Sequence, residues 1–344
     1  MERKKIFNPN GNDTIQGRKV LSGNVTNIFN LNNVKYLWAN KLYRVMMENF
    51  WIPEKISLSD DARQYNNLTL SEKKAYDGIV SFLTFLDSIQ TNNLPNISNY
   101  ITAPEINLVL AIQTYQEAIH SQSYAYMIES VIPADKRDSI YDFWREDDVL
   151  LERNKYIAQV YQDFIDNPSD QHFAKVLIAN FLLEGLYFYN GFIFFYNLTS
   201  RGLMMGSADE IKYINRDELT HCMIFSNMIK EIKQEMPQFF DEKVIIGMFE
   251  NAVNQEMKWT NHIIGEGILG INKSSTEKYT KYLANKRLRE LNIRPIYEGF
   301  SNNPYEHLEK IADVGGEGSA KTNFFESNVS SYNQSSAIKG WNDF

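Results

Sequence analysis

The sequence is poor in cysteine and has no excess of positive charge. Of its 344 residues only Cys222 is a cysteine, so an intrachain disulfide is excluded and a reducing compartment, the cytoplasm, is expected. Asp and Glu number 43 against 35 Lys and Arg, a formal net charge of −8. We therefore expect neither nucleic acid nor an anionic membrane surface as a partner. No apolar run follows the opening MERKKIFNPN, so we expect no signal peptide.

Signals for β-hairpins are also missing, whereas signals for helices recur at long spacing. Ser or Thr followed three residues later by Glu is typical of a capping box at a helix start. Three such pairs occur: Thr69 with Glu72, Thr102 with Glu105, and Ser207 with Glu210. The helices predicted from these starts and from hydrophobic periodicity cover residues 32–48, 69–91, 102–130, 148–165, 169–202, 207–235, 241–268 and 275–291. The sequence therefore predicts an all-α helical bundle with longer helices than average.

One long hydrophobic run, FLLEGLYFYNGFIFFYNL at residues 181–198, needs a choice between membrane and core. It contains Glu184, Asn190 and Asn197. A charged side chain at the centre of a bilayer is costly. The run is therefore predicted to be a buried core helix.

The chain shows no internal repeat and no change of composition before about residue 312. We therefore expect one helical domain over residues 1–311. Residues 312–344 are rich in Gly, Ser and Asn with scattered aromatic residues. This composition is typical of a flexible tail.

Six ionisable residues occur in a pattern that is unusual for a helical protein. Glu-x-x-His occurs twice, and two further carboxylates sit in strongly apolar helical segments. These residues are Glu117 with His120, Glu218 with His221, and the single carboxylates Asp87 and Glu184. A buried carboxylate without a partner costs several kcal/mol or takes up a proton. A bound metal ion would remove that cost.

The donor set indicates which metal such a site would hold. Four carboxylates and two imidazoles suit two iron or manganese ions better than a structural zinc ion. Ferritin-like dimetal bundles carry this set, with one carboxylate from each of two helices and Glu-x-x-His from each of the other two. The alternative is a metal-free helical scaffold in which these residues are solvated or paired with Lys and Arg. No Lys or Arg lies within four residues of Asp87 or Glu184, which favours the metal site.

Six segments together resemble one family, the small, radical-generating subunit of class I ribonucleotide reductases. They are NFWIPEKISLS, FLTFLDSIQ, EAIHSQSY, FLLEGLYFYNGF, INRDELTH and TNFFESNVSSY, and they span nearly the full chain. The resemblance implies a ferritin-like fold with a dimetal-carboxylate site. It also implies that one metal is held by Asp87, Glu117 and His120, and the other by Glu184, Glu218 and His221.

The resemblance assigns further residues to the formation and transfer of a radical. Tyr124, one helical turn after His120, corresponds to the tyrosine that is oxidised to a stable radical, although a Tyr at such a position is more often core packing. Phe188, Phe192 and Ile214 would form the apolar wall around the radical, as their spacing from Glu184 and Glu218 also suggests. The radical-transfer route would include Trp51, Asp217 and, in the tail, Tyr332.

The implied enzyme is a ribonucleoside-diphosphate reductase that is active only with a large catalytic subunit. Reduction of a ribose by a dithiol needs at least two cysteines, and this chain has one. The tail is expected to dock on that large subunit, and the resemblance implies a homodimer. Two metal ions per chain are expected, an iron pair first, with manganese or a manganese–iron pair and a flavoprotein activator left open. Two alternatives on the same scaffold are a dimetal oxidase or desaturase and an iron-storage or ferroxidase protein.

Overall fold

The computed structural model describes residues 1–313, with side chains up to Lys310. Twelve α-helices lie in this range: α1 Leu37–Glu48, α2 Ser59–Tyr65, α3 Leu70–Ser98, α4 Pro104–Val131, α5 Arg137–Glu146, α6 Asp148–Asp166, α7 Asp170–Leu182, α8 Tyr189–Thr199, α9 Met205–Glu235, α10 Glu242–Ile263, α11 Lys273–Glu290 and α12 Glu306–Asp313. A π-helix, Leu183–Tyr187, lies between α7 and α8. β-Pairing within the described range is confined to an isolated bridge between Leu21 and Ile101. The all-α prediction is confirmed.

Four long helical segments form the centre of the bundle and carry the six predicted ligand residues. Helices α3 and α4 pack along one another, and α9 contacts α4, α7, α8 and the π-helix. The residues are distributed as Asp87 on α3, Glu117 and His120 on α4, Glu184 in the π-helix, and Glu218 and His221 on α9. Residues more than a hundred positions apart in sequence are thus brought to one level of the bundle.

The most apolar part of the chain lies in the core. The helical stretch Asp170–Thr199 is long and apolar enough to cross a membrane, but its most apolar window is 100% buried inside the protein. Both asparagine amide groups have acceptors: Asn190 donates to Thr280 Oγ1 at 2.9 Å and Asn197 donates to the carbonyl of Leu269 at 2.8 Å. The prediction of a buried core helix is confirmed.

One of the three predicted capping boxes is present. Thr69 and Glu72 form both hydrogen bonds of a capping box at the start of α3. The box at Thr102 is wrong, because α4 begins at Pro104 and the Thr102 hydroxyl donates instead to the carbonyl of Lys19 at 2.8 Å. The box at Ser207 is also wrong. Helix α9 begins earlier, at Met205, and the Ser207 hydroxyl bonds that of Tyr76 at 3.0 Å.

Several features of the fold have no counterpart in the predicted helices. Helices α2, α5 and α12 were not predicted, and α3 continues through Pro95 to Ser98. A proline inside a helix removes one backbone hydrogen bond, but Leu94 and Ile97 beside it are fully buried, so packing outweighs that loss. The predicted helix 169–202 is interrupted by the π-helix. The predicted tail, residues 312–344, lies almost wholly outside the described residues and stays a prediction.

Candidate metal centre

The six predicted ligand residues meet in two overlapping groups in the middle of the bundle. In each group, one potential ligand atom per residue lies within 4.8 Å of the others. The first group is Asp87, Glu117, His120 and Glu218, and the second is Glu117, Glu184, Glu218 and His221. All six side chains have no exposed surface. Glu117 and Glu218 belong to both groups, so the geometry suits two adjacent ions that share carboxylates.

Each histidine turns its Nδ1 toward several carboxylate oxygens. His120 Nδ1 lies 3.2 Å from Glu218 Oε1 and 3.5 Å from Glu117 Oε2. His221 Nδ1 lies 3.1 Å from Glu117 Oε1 and 3.2 Å from Glu184 Oε2. The i, i+3 spacing of Glu-x-x-His on α4 and α9 places both members of each pair on one helix face. The local motif and the packing of the helices together build the cluster.

Several buried atoms of the cluster approach one another without the alignment of a hydrogen bond, and they have no hydrogen-bond partner among the described residues. They are both carboxylate oxygens of Asp87, Glu117 Oε2, His120 Nδ1 and Glu218 Oε1. An orphaned buried polar atom is costly. The atoms that lack partners are the hard oxygen and imidazole donors that iron and manganese accept, and they converge on one volume. The residues present therefore fit a dimetal-carboxylate site.

The pKa values of the cluster residues also favour a bound metal ion. Burial, followed by the neighbouring carboxylates, raises the pKa of Asp87 and of Glu218 well above the usual range. Burial disfavours the imidazolium form of His120 and His221, but hydrogen bonds and charges from the surrounding carboxylates outweigh it and raise both pKa values. Without a cation the cluster therefore takes up protons, which a metal ion would displace.

The second nitrogen of each histidine has an oxygen acceptor. His120 Nε2 lies 3.4 Å from Asp217 Oδ2, and His221 Nε2 lies 3.0 Å from Gln116 Oε1. Each acceptor favours the tautomer with its proton on Nε2, which leaves the Nδ1 lone pair facing the cluster. Asp217 was predicted to lie at this site, whereas Gln116 was not.

Glu184 is held by a set of carboxamides that the sequence analysis missed. Its Oε1 accepts from Gln113 Nε2 at 3.0 Å and from Asn180 Nδ2 at 3.1 Å. Gln90 also donates to this oxygen and is itself held by the hydroxyl of Tyr161. The remaining oxygen, Oε2, faces His221. The one-turn spacing of Gln113 before Glu117 and of Asn180 before Glu184 was the available signal.

Tyr124 lies on α4 one turn after His120 and has no exposed surface. Its hydroxyl has no hydrogen-bond partner among the residues described. Burial, and then the charges of Asp87 and Glu218, raise its pKa well above the usual range. Tyr124 is therefore a neutral phenol beside the cluster, and removing an electron from it requires the proton to leave as well.

The predicted apolar wall consists of buried side chains, but helical spacing does not determine where two of them point. Phe188, Phe192 and Ile214 are at most 1% exposed. The spacing argument for Phe188 and Phe192 assumed a regular α-helix after Glu184. The π-helix Leu183–Tyr187 changes that periodicity, so the direction of these two rings does not follow from spacing. Their role around a radical stays a prediction.

Trp51 is connected to the cluster by hydrogen bonds. Trp51 Nε1 donates to Asp217 Oδ2 at 2.9 Å, the same oxygen that lies 3.4 Å from His120 Nε2. On its other side the Trp51 ring stacks on Tyr213, with ring centroids 5.2 Å apart and an interplanar angle of 17°. Trp51 is 8% exposed and Tyr213 is 39% exposed, so this chain of contacts runs from the cluster to the surface. Tyr332, the predicted tail carrier, lies outside the described residues.

A family model described as ribonucleotide reductase, small chain, matches residues 28–304. The chain belongs to this family. The resemblance inferred from the sequence segments is therefore confirmed. Among proteins of the small-chain family, the chain is 46% identical over 341 residues to the ribonucleoside-diphosphate reductase subunit beta of Treponema pallidum, covering 98% of this chain and 97% of the relative. It is 35% identical to the subunit beta of Halalkalibacterium halodurans, covering 100% of this chain and 99% of the relative.

Two solved structures share the fold. A ribonucleotide reductase R2 subunit from Clostridium botulinum superposes with a TM-score of 0.88 at 45% identity, covering 91% of this chain and 99% of that one. A dimanganese(II) NrdF from Streptococcus sanguinis superposes with a TM-score of 0.71 over 79% of this chain and 94% of that one. At 21% identity the second likeness shows the fold alone.

Proposed function

We propose that this small chain generates a tyrosyl radical and passes it to a large catalytic subunit, which reduces ribonucleotides to deoxyribonucleotides. The observation that carries the proposal is the buried six-residue cluster with Tyr124 one helical turn away. The subunit beta relatives of Treponema pallidum and Halalkalibacterium halodurans, which bear the name of this activity over their full length, support it.

The cluster would hold two metal ions. In our proposal Asp87, Glu117 and His120 hold one ion, and the other is held by Glu184, Glu218 and His221, with shared carboxylates between the two. An iron pair is the first candidate, and manganese or a manganese–iron pair is the alternative, because these ions accept the same oxygen and imidazole ligands. When bound, such a pair supplies, with oxygen, the oxidising power that takes one electron from Tyr124.

The protein around Tyr124 determines how that electron is lost and how long the radical lasts. The raised pKa of Tyr124 keeps the proton on the phenol until it is oxidised, so electron and proton leave together. The charges of Asp87 and Glu218 contribute to this raised pKa, and a carboxylate of the cluster is the proposed proton acceptor. Complete burial of the ring and of Phe188, Phe192 and Ile214 excludes water and reductants.

The hydrogen-bonded route through Trp51, Asp217 and His120 supports a reductase over an oxidase or an iron-storage protein, because only a reductase needs the oxidising equivalent to leave the chain. The single cysteine supports the same conclusion: burial raises the pKa of Cys222 to about 12, so its thiolate is not available for chemistry. A large subunit must therefore provide the reducing cysteines. We propose that the tail docks there and that Tyr332 carries the radical across the interface.

The proposal includes two further expectations about the assembly. The small chain would act as a homodimer in the cytoplasm, and the need for a flavoprotein activator is left open. Metal analysis and an electron paramagnetic resonance spectrum of protein purified from its own host test the proposal. Two metal ions per chain and a tyrosyl signal are expected, and a metal-free protein with full reductase activity would contradict it.

A further inference from the structure

Glu184 lies in the π-helix Leu183–Tyr187, and two buried arginines bind the backbone of that π-helix. Arg287 on α11 donates from Nε to the carbonyl of Gly185 at 3.0 Å. Arg153 on α6 donates from Nη2 to the carbonyl of Tyr187 at 2.6 Å. Both arginines are 2% exposed. The two contacted carbonyls lie one and three residues after Glu184 and are reached from two different helices.

A π-helix needs such donors. Its hydrogen bonds span one residue more than those of an α-helix. Some carbonyl groups therefore lose the backbone N–H donor that a regular α-helix would provide. A buried carbonyl without a donor is costly. The guanidinium groups of Arg153 and Arg287 supply donors where the ladder is irregular, and the π-helix is thereby stabilised against return to a regular α-helix.

Each arginine is itself held in place. Arg153 is paired with buried Glu256 on α10, and its guanidinium lies 4.4 Å from the ring centroid of Phe82. Arg287 donates to both carboxylate oxygens of Glu290 at 2.9 Å and to the hydroxyl of Tyr189 at 2.9 Å. Burying two guanidinium groups is expensive unless their charges are paired. Pairing on one side and carbonyl contacts on the other make both arginines rigid.

The geometry points to Arg153 and Arg287 as positioning residues that fix the backbone of the π-helix and so hold Glu184 in the cluster. The carboxamides of Gln113 and Asn180 hold the carboxylate end of Glu184, and the arginines hold its main-chain end. The inference rests on the proposed function, because it concerns the metal that Glu184 would bind. Neither arginine is part of the Glu-x-x-His pattern or of the radical-transfer route.

Mn²⁺ binding to the metal-free protein tests this inference. Arg287→Met and Arg153→Met each remove the donor to a π-helix carbonyl. Each should weaken the binding of one of the two ions about 10-fold or more, as is typical when an outer partner of a ligand is lost. Calorimetric titration and the Mn²⁺ paramagnetic resonance spectrum would measure this. Wild-type affinity for both ions in both variants would overturn the inference.

Arg18→Met is the matched control. Arg18 is equally buried and pairs with Glu105 at 2.6 Å, but Glu105 lies twelve residues before Glu117 on α4, about 18 Å along the helix. This variant should lose thermal stability yet bind two Mn²⁺ ions with unchanged affinity. Equal weakening in Arg18→Met would show a general effect of lost stability and would overturn the positioning role.

Gly185→Ala serves where a methionine variant does not fold. A Cβ at this position would lie 2.6 Å from Arg287 Nε and 3.2 Å from Cys222 Sγ, so it displaces the arginine without removing it. The same weakening of one ion is expected. Hydrogen exchange of residues 183–189 in the metal-free protein should rise in this variant and not in Arg18→Met; unchanged exchange and affinity would refute the inference. If the wild-type chain itself bound no pair of ions, that result would contradict the proposed function and not the positioning role alone.

Discussion

Replacing Gln116 by Leu should selectively weaken the binding of one of the two metal ions. Gln116 Oε1 accepts from His221 Nε2 at 3.0 Å, and both side chains are nearly or fully buried. Leu has a similar volume but cannot accept, so the Nε2–H of His221 would be left without its partner. An unsatisfied buried donor costs about 1–3 kcal/mol, and about 1.4 kcal/mol corresponds to a tenfold change in a binding constant. A loss of affinity between about fivefold and 150-fold follows for the ion bound by His221.

The assay is a calorimetric titration of metal-free protein with Mn²⁺, which resolves the two binding events. The ion held by His120 should keep its affinity, because His120 has a separate acceptor in Asp217. Gln122→Leu is the control, since Gln122 lies on the same helix but is exposed and bonds Glu54. Wild-type affinities in Gln116→Leu, or equal losses for both ions, would refute the argument that each histidine is oriented by its own acceptor.

Three further predictions follow from the site. Trp51→Phe removes the donor to Asp217 and should leave the Tyr124 radical intact while stopping turnover with the large subunit; normal turnover would place the route elsewhere. Deleting residues 337–344 should weaken binding to the large subunit, and Tyr332→Phe should preserve binding but abolish turnover, as measured by affinity and activity assays side by side. Mn²⁺ affinity should rise with pH, because the raised pKa values of Asp87, Glu218 and both histidines mean that protons compete with the metal at low pH; a flat profile would contradict these shifts.

The six candidate ligands could be selected from the sequence because their signal is local. Glu-x-x-His places both side chains on one face of a helix, and Asp87 and Glu184 stand out because nothing nearby in sequence could neutralise them. Tyr124 was found in the same way, one turn from His120. Helical spacing and the chemistry of neighbouring residues were therefore sufficient to select these candidates from the sequence.

The parts that were missed depend on contacts between distant segments. The capping boxes at Thr102 and Ser207 have the right local pattern, but their hydroxyls bond Lys19 and Tyr76 instead. The π-helix is stabilised by arginines 34 and 102 residues away in sequence from the carbonyls that they bind. No periodicity within residues 169–202 could reveal donors supplied by α6 and α11.

The most direct test of the account compares the wild-type chain with Tyr124→Phe after loading with iron and oxygen. Only a hydroxyl is removed, and that hydroxyl has no hydrogen-bond partner among the described residues, so fold and metal content should be unchanged. We expect two metal ions per chain in both proteins, with a tyrosyl signal in the paramagnetic resonance spectrum of the wild type alone. A wild-type protein without a pair of ions, or a Tyr124→Phe variant that keeps the tyrosyl signal, would contradict the account.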